Sequence, residues 1–198
     1  SLFEVNDLTY VPDNVFEAWL INQGYDDVLD DYVLTSNINT LSTVNVSNLN
    51  INDLTGIEGF TDLFYFTAAN IKVTTLDLSK NKFLRTLDIN NCSNIESLVL
   101  YEENSLIYNF NVWGSSLKTI NILNHPRISS LYAYQMPNLE TFYFPDLSNV
   151  ADNHAWNTIY VYSNPKLTTV NWENFPNTIT YAYLSNNNLN EIDISNIK

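Results

Sequence analysis

The feature that most constrains this chain is a spacing. Between Val73 and Leu100 the sequence reads VTTLDLSKNKFLRTLDINNCSNIESLVL, and the pattern apolar-x-x-apolar-x-apolar occurs three times. The triplets are Val73/Leu76/Leu78, Leu84/Leu87/Ile89 and Ile95/Leu98/Leu100, each 11 residues after the last. A short strand sends alternate side chains to opposite faces. The fourth and sixth positions of each unit therefore point inward, and the third, fifth and seventh point outward. One unit cannot bury its own leucines, so neighbouring units must stack into a solenoid.

Carried along the chain, the spacing marks first apolar positions at Leu41, Leu63, Val73, Leu84, Ile95, Ile107, Leu117, Ile128, Leu139, Trp156, Leu167, Ile179 and Leu189. Two half-repeats make a coil of about 22 residues, a period that belongs to leucine-rich repeats. Residues 1–40 do not repeat and are expected to form an N-terminal cap; residues 41–198 should form six to seven coils. Within the cap, Pro12 to Gly24 predicts one short helix, with Pro12, Asp13 and Asn14 as start signals and Gly24 as the stop. Val15, Phe16, Trp19 and Leu20 would share its core-facing side. The acidic loop after it, with Asp26, Asp27, Asp30 and Asp31, reads as a solvated turn. Its spacing does not match an EF-hand, and the glycine of that loop is missing.

The ninth position of the unit is Asn81, Cys92, Asn164 and Asn187 in four half-repeats. A small polar side chain there can satisfy backbone groups where the chain turns out of the strand. Cys92, the single cysteine, takes a structural role on this reading rather than that of a reactive thiol. The halves VTTLDLSKN and FLRTLDINNC resemble the bacterial leucine-rich repeats of 21–23 residues in which both halves read LxxLxLxxN. The cap region, VPDNVFEAWLINQGYDDVLDDYVLTSNI, and the link NDLTGIEGFTDL from Asn52 to Leu63 resemble the start of surface leucine-rich-repeat proteins of Bacteroidetes. The link is also similar to internalin-type repeats. The resemblance covers nearly the whole chain. It implies a leucine-rich-repeat solenoid with short parallel β-strands on both sides of the coil, few helices and an N-terminal helical cap. It also implies a secreted or cell-surface protein acting in adhesion or recognition. This chain departs from the pattern in its many aromatics and in a longer step at Asp146–Ala155.

The half-repeats form two series, expected as parallel sheets on opposite sides of the solenoid. In the series that begins at Leu63, Leu84, Ile107, Ile128, Trp156 and Ile179, the outward positions turn aromatic. Position five runs Asn111, Tyr132, Tyr160, Tyr183; position seven runs Trp113, Tyr134, Tyr162, Ser185; Tyr181 adds a ring at position three. Coils about 4.8 Å apart would align these seven rings in two columns. Tyrosine suits a strand and stacks across coils for structural reasons alone. Seven rings on one face nonetheless exceed what a solvated sheet needs, and contiguous aromatic patches mark contact surfaces. The candidate ligand-binding residues are therefore Trp113, Tyr132, Tyr134, Tyr160, Tyr162, Tyr181 and Tyr183. The opposite series is mostly polar, with Asp77, Val99, Asn121, Tyr143, Asn171 and Asp193 at position five.

Charge and composition narrow the partner. Lys and Arg total 8 against 22 Asp and Glu, so the net charge is 8 − 22 = −14. That sign disfavours nucleic acid and anionic membrane surfaces. A protein ligand is expected, with a glycan as the alternative. No run of about 18 apolar residues offers a membrane span, and no signal peptide is visible. No nucleophile–base pair, carboxylate pair or cation cluster recurs on one face, so no catalytic residue, metal or cofactor is expected. A polysaccharide-active β-helix is the weakest alternative. The insertion PDLSNVADNHAW holds Asp146, Asp152 and His154, too few for a convincing metal site. His125 precedes Pro126 in a turn with no evident partner. The chain stops at DISNIK in mid-repeat, which predicts either continuation or a partner at that end, and admits a purely structural spacer.

Overall fold

A computed structural model describes residues 6–150 and 154–197. The cap is built around α1 (Asn14–Gln23). Asp13 caps this helix: its Oδ1 accepts from the N–H groups of Val15 and Phe16, at 2.9 and 3.1 Å. Its Oδ2 accepts from the N–H groups of Asn52 and Asp53, at 2.8 and 3.0 Å. One carboxylate thus satisfies orphan donors of the helix and ties the helix to the solenoid. Gly24 ends the helix in the left-handed region, at φ 82°. Phe16 and Leu20 are buried and Trp19 packs against the core, whereas Val15 is exposed, against the expectation of a shared core face. The cap holds more than one helix. An antiparallel ribbon of β1 (Leu8–Tyr10) and β2 (Tyr32–Leu34) and a four-residue helix α2 (Thr35–Ile38) complete it. The ribbon sits close to the link segment. At Gly56 (φ 109°) a Cβ would lie 2.7 Å from a methyl of Val11 and 2.9 Å from the Tyr10 carbonyl, so only glycine fits there.

Twelve strands follow: β3 (Thr43–Asn45), β4 (Tyr65–Thr67), β5 (Thr75–Leu78), β6 (Thr86–Asp88), β7 (Ser97–Leu100), β8 (Asn109–Asn111), β9 (Thr119–Asn121), β10 (Ser130–Tyr132), β11 (Thr141–Tyr143), β12 (Trp156–Tyr160), β13 (Thr169–Val170) and β14 (Ile179–Tyr183). They build a parallel-strand, leucine-rich-repeat-like solenoid. One series forms an unbroken seven-stranded sheet in the order β14-β12-β10-β8-β6-β4-β3. The other series is broken. It forms a pair, β5-β7, and a separate three-stranded sheet, β13-β11-β9.

The core lies between the two series and is built from their fourth and sixth positions. Leu76, Leu78, Leu87, Ile89, Phe110, Val112, Ile120, Ile122, Leu131, Ala133, Phe142 and Phe144 are all buried. Burial of each large member contributes about 1.5–3 kcal/mol. At the last half-repeat the equivalent Ile192 and Ile194 are 48% and 51% exposed.

Position eight of the unbroken series carries a further rule. Asn48, Asn70, Asn91, Gly114, Gln135, Ser163 and Asn186 all have positive φ, one per coil. The chain makes the same left-handed step each time it leaves that sheet. Asparagine and glycine tolerate that step best, which accounts for much of the asparagine in this chain.

Candidate functional site

The outward side chains of the seven-stranded sheet change character along the solenoid. The pairing register places Thr67, Asp88, Asn111, Tyr132, Tyr160 and Tyr183 in one row. In the early coils the polar members act locally. Asp88 and Asn111 accept from the N–H two residues on, as Asn45 does for Ser47. Beside them an amide ladder runs from Asn48 through Asn70 to Asn91. Asn70 donates to Asn48 at 2.6 Å, and Asn91 donates to Asn70. The ladder stops at Gly114, which has no side chain to extend it.

There the rings begin. Trp113 stacks on Tyr134 with centroids 5.3 Å apart and planes 5° apart, and Tyr134 stacks on Tyr162 at 4.7 Å and 7°. Tyr183 closes this column edge-on, 4.7 Å from Tyr162 at 70°. In the neighbouring column Tyr132 stacks on Tyr160 at 5.4 Å and 15°. Tyr181 leans over Tyr160 at 5.5 Å and 46°, and Tyr160 meets Tyr162 edge-on at 6.1 Å. All seven expected rings therefore belong to one connected platform. They are not uniformly exposed, as the register alone suggests. Trp113, Tyr132, Tyr134, Tyr160 and Tyr162 are half-buried by one another, and Tyr181 and Tyr183 are 50% and 40% exposed. Burial, with the neighbouring Tyr162 and Tyr132 adding to it, holds the Tyr134 phenol above its ordinary pKa. Tyr65 is an exposed ring on the same sheet, two coils before the start of the platform at Trp113.

The geometry decides what the platform can offer. Both faces of Tyr134 are covered by rings, and those of Tyr162 by Tyr134 and the edge of Tyr183. These residues present ring edges and hydroxyls to solvent, not open faces. Ring edges are electropositive and phenols donate hydrogen bonds, so the platform suits acceptors and apolar ridges.

The ninth-position residues lie beneath the surface and reach back one coil. Asn81 donates to the carbonyls of Ile57 and Phe60, at 3.0 and 3.1 Å. The Cys92 thiol donates to the Ala68 carbonyl at 2.9 Å, and burial pushes its pKa up. Asn164 accepts from the Met136 N–H at 3.0 Å and donates to the Ala133 carbonyl at 2.9 Å. Asn187 accepts from the Asn164 N–H at 3.2 Å and donates to the carbonyls of Val161 and Leu184. Two further side chains do similar work without being evident from the sequence. Asn171 pairs with both backbone groups of Phe144, at 2.6 and 3.1 Å. His125, at the ninth position of its half-repeat, has a partner after all: its Nδ1 lies 2.7 Å from Ser105 Oγ. Burial holds this imidazole below its ordinary pKa, with Glu102 pulling the other way. His125 falls on the ninth-position register, but as neither Asn nor Cys it is not marked there by residue type.

The remaining polar candidates do not converge. Asp146 accepts from the Ser148 N–H, and the Nε2 of His154 is 3.1 Å from the Ile128 carbonyl; Asp152 lies outside the described residues. In the cap loop, Asp26 accepts from the Asp27 N–H and Asp30 from that of Tyr32. Among the described residues no group of three or more His, Cys, Asp or Glu is placed to hold a metal, and no helix is long and apolar enough to cross a membrane.

No known family profile matches the chain, and no curated protein matches it in sequence. Among solved structures it is similar to the functional domain of InlJ from Listeria monocytogenes, which is described as including a cysteine ladder. The two are 20% identical, with a TM-score of 0.48, over 96% of this chain and 50% of that one. The chain thus spans half the length of that structure.

Proposed function

We propose that this chain is a non-enzymatic recognition module that binds a protein through the aromatic platform of its seven-stranded sheet. The observation that carries this reading is the connected run of rings from Trp113 to Tyr183 on a face whose earlier coils are polar. Tyr and Trp are favoured interface anchors because they bury much area with few rotatable bonds. A protein is favoured over a glycan because sugar rings stack on open aromatic faces, and the inner faces here are taken. The net charge of −14 favours a partner with a complementary basic surface. The resemblance of the repeats and cap to bacterial surface leucine-rich-repeat proteins supports a role outside the cell, in adhesion or recognition.

The open side of Tyr181 supports a second reading, in which a glycan end-group stacks at that edge of the platform. The two separate in one experiment. The parent and a variant with Tyr132, Tyr160 and Tyr162 replaced by Ala are compared in a glycan array and in pull-downs of surface proteins. Protein capture by the parent and not by the folded variant supports the proposal. Glycan signals lost in the same variant support the alternative. Undiminished binding by the variant refutes both.

A further inference from the structure

The break in the second sheet is not random loss of regularity. Half-repeats there join by a fixed scheme, in which positions two and three of one coil bond back to position two of the coil before. Glu96 and Ser97 donate to the Thr74 carbonyl, and Glu140 and Thr141 to that of Lys118. Between β7 and β9 this scheme stops. The two coils touch before the strands, where the Ser116 N–H donates to the Ile95 carbonyl at 2.9 Å and Ser116 Oγ donates to the Ser93 carbonyl. They meet again after the strands, where Asn124 donates to Glu102 at 3.1 Å and His125 meets Ser105. In between, β7 and β9 carry no ladder. The coil from Ile95 to Leu117 has the same 22 residues as those that begin at Val73 and Leu117, but divides them into steps of 12 and 10 rather than 11 and 11, and Asn104 within the longer step has a φ of 55°.

The result is a slit between two strands, bridged by hydrogen bonds before and after them. A cavity of about 130 Å³ lies in it, lined by Leu98 and Leu100 on one side and Leu117, Ile120 and Ile122 on the other, with Phe110 at its floor. Leu98 and Leu100 hold core positions, yet both are only half-buried, and the adjacent Val99 is 46% exposed. In a parallel ladder the backbone groups of alternate residues point to opposite edges. Since Ser97 bonds toward β5, Leu98 and Leu100 present their backbone groups to the slit. Since Ile122 bonds toward β11, Thr119 and Asn121 present theirs from the other side. Two unpaired parallel edges facing each other over an apolar floor match the requirements of one intervening extended backbone. The groove continues past Glu96 and Lys118 at one end and reaches Glu102 at the other, so its rim is more acidic than basic.

We infer that the slit between β7 and β9 is a peptide-binding site, which takes a short extended segment of a partner protein as an added strand. The segment has β-branched residues facing the cavity and basic residues at its ends, opposite Glu96 and Glu102. This site lies on the series opposite the aromatic platform and does not depend on it.

The test uses a fluorescein-labelled, end-blocked peptide of alternating Val and Thr with Lys at each end. Saturable binding by fluorescence anisotropy is expected. N-methylation of alternate amides should weaken it at least tenfold, because it removes backbone donors and leaves the side chains alone. Leu98→Phe, which fills the cavity, should weaken it at least tenfold, while Tyr160→Ala should leave it within twofold. Absence of saturable binding, equal binding of the N-methylated peptide, or undiminished binding by Leu98→Phe overturns the site. Hydrogen exchange on the parent protein gives an answer that needs no variant. The Leu98, Leu100, Thr119 and Asn121 amides should exchange at least a hundredfold faster than that of Leu131, and slow when peptide is added. Equal protection in the free protein overturns the proposal. So does a concentration-dependent dimer that Leu98→Phe abolishes, since a second copy would then be the occupant.

Discussion

The first and last coils of the seven-stranded sheet share a backbone and differ in what they show to solvent. Both halves make the same left-handed step at position eight, and both bury their fourth and sixth positions as far as β12; in the last coil Ala182 is exposed and Leu184 half-buried. In the early coils Asn45, Asp88 and Asn111 bond to their own turns, and Asn48, Asn70 and Asn91 bond to one another. In the late coils Tyr132, Tyr160 and Tyr183 occupy the equivalent row and bring no acceptor to the turn. The fold accepts either solution. The backbone therefore does not dictate the outward side chains, and the run of rings on the later coils is what the proposed contact surface rests on.

The largest expected effect tests what the halves share. Leu87 is fully buried between them. Leu87→Asp places a carboxylate in a core with no cation near it, at a cost far above that of a lost contact. Cooperative unfolding should vanish from the circular-dichroism melt. An unchanged melt would remove the inward assignment of position four.

Next in size is Asn164→Ala. It strands the Met136 N–H and the Ala133 carbonyl, each buried, at about 1–3 kcal/mol per group. Urea denaturation should show a loss of that order. A change below about 0.5 kcal/mol, the range of ordinary surface substitutions, would mean that water replaces the amide and that the ninth position carries little of the fold.

The comparison itself is sharpened by matched substitutions in the two ladders. Tyr134→Ala removes two stacked ring pairs, each worth about 0.5–1.5 kcal/mol beyond buried area. Asn70→Gly removes exposed amide bonds, keeps a residue that tolerates the left-handed step, and should fall within about 0.5 kcal/mol of the parent. Equal losses in urea denaturation would mean that the rings stabilise the solenoid no more than the amides do. The half-burial of five rings also bears on binding experiments: ring variants must be shown to be folded before lost affinity is attributed to contact.

How far the sequence could be read follows from the range of the forces involved. Period-two alternation and stacking are repeated many times, so Leu76, Leu87 and Leu131 could be assigned from spacing alone, and so could the ring rows. The ninth-position asparagines were accessible because they recur. What escaped depended on single departures from the repeat. The β7–β9 ladder is missing where a coil of the ordinary 22 residues divides as 12 and 10, and that loss appears only in three dimensions. The His125–Ser105 contact joins residues 20 apart across adjacent coils, and neither side chain repeats. The degree of exposure of the rings does not follow from the register, because each ring is covered by the next, and a residue-by-residue assignment of faces does not include that.

The smallest effect expected is a pH dependence confined to the aromatic half. Burial and neighbouring phenols hold Tyr134 above its ordinary value, so the fold favours the neutral phenol. A proton is then bound more tightly in the folded than in the unfolded chain. The stack's contribution is fully present below the unfolded phenol pKa of about 10, and declines as pH rises through that value toward the higher folded one. Stability should therefore be flat with respect to Tyr134 from pH 7 to about pH 9 and fall above about pH 10. Tyr134→Phe keeps the ring and removes the titrating group. Above about pH 10 it should lose stability less steeply than the parent, and Asn70→Gly should follow the parent throughout. Parallel alkaline limbs for the parent and Tyr134→Phe would show that the phenol ionises as freely in the stack as in the unfolded chain, and that the two halves of the sheet differ in shape but not in electrostatics.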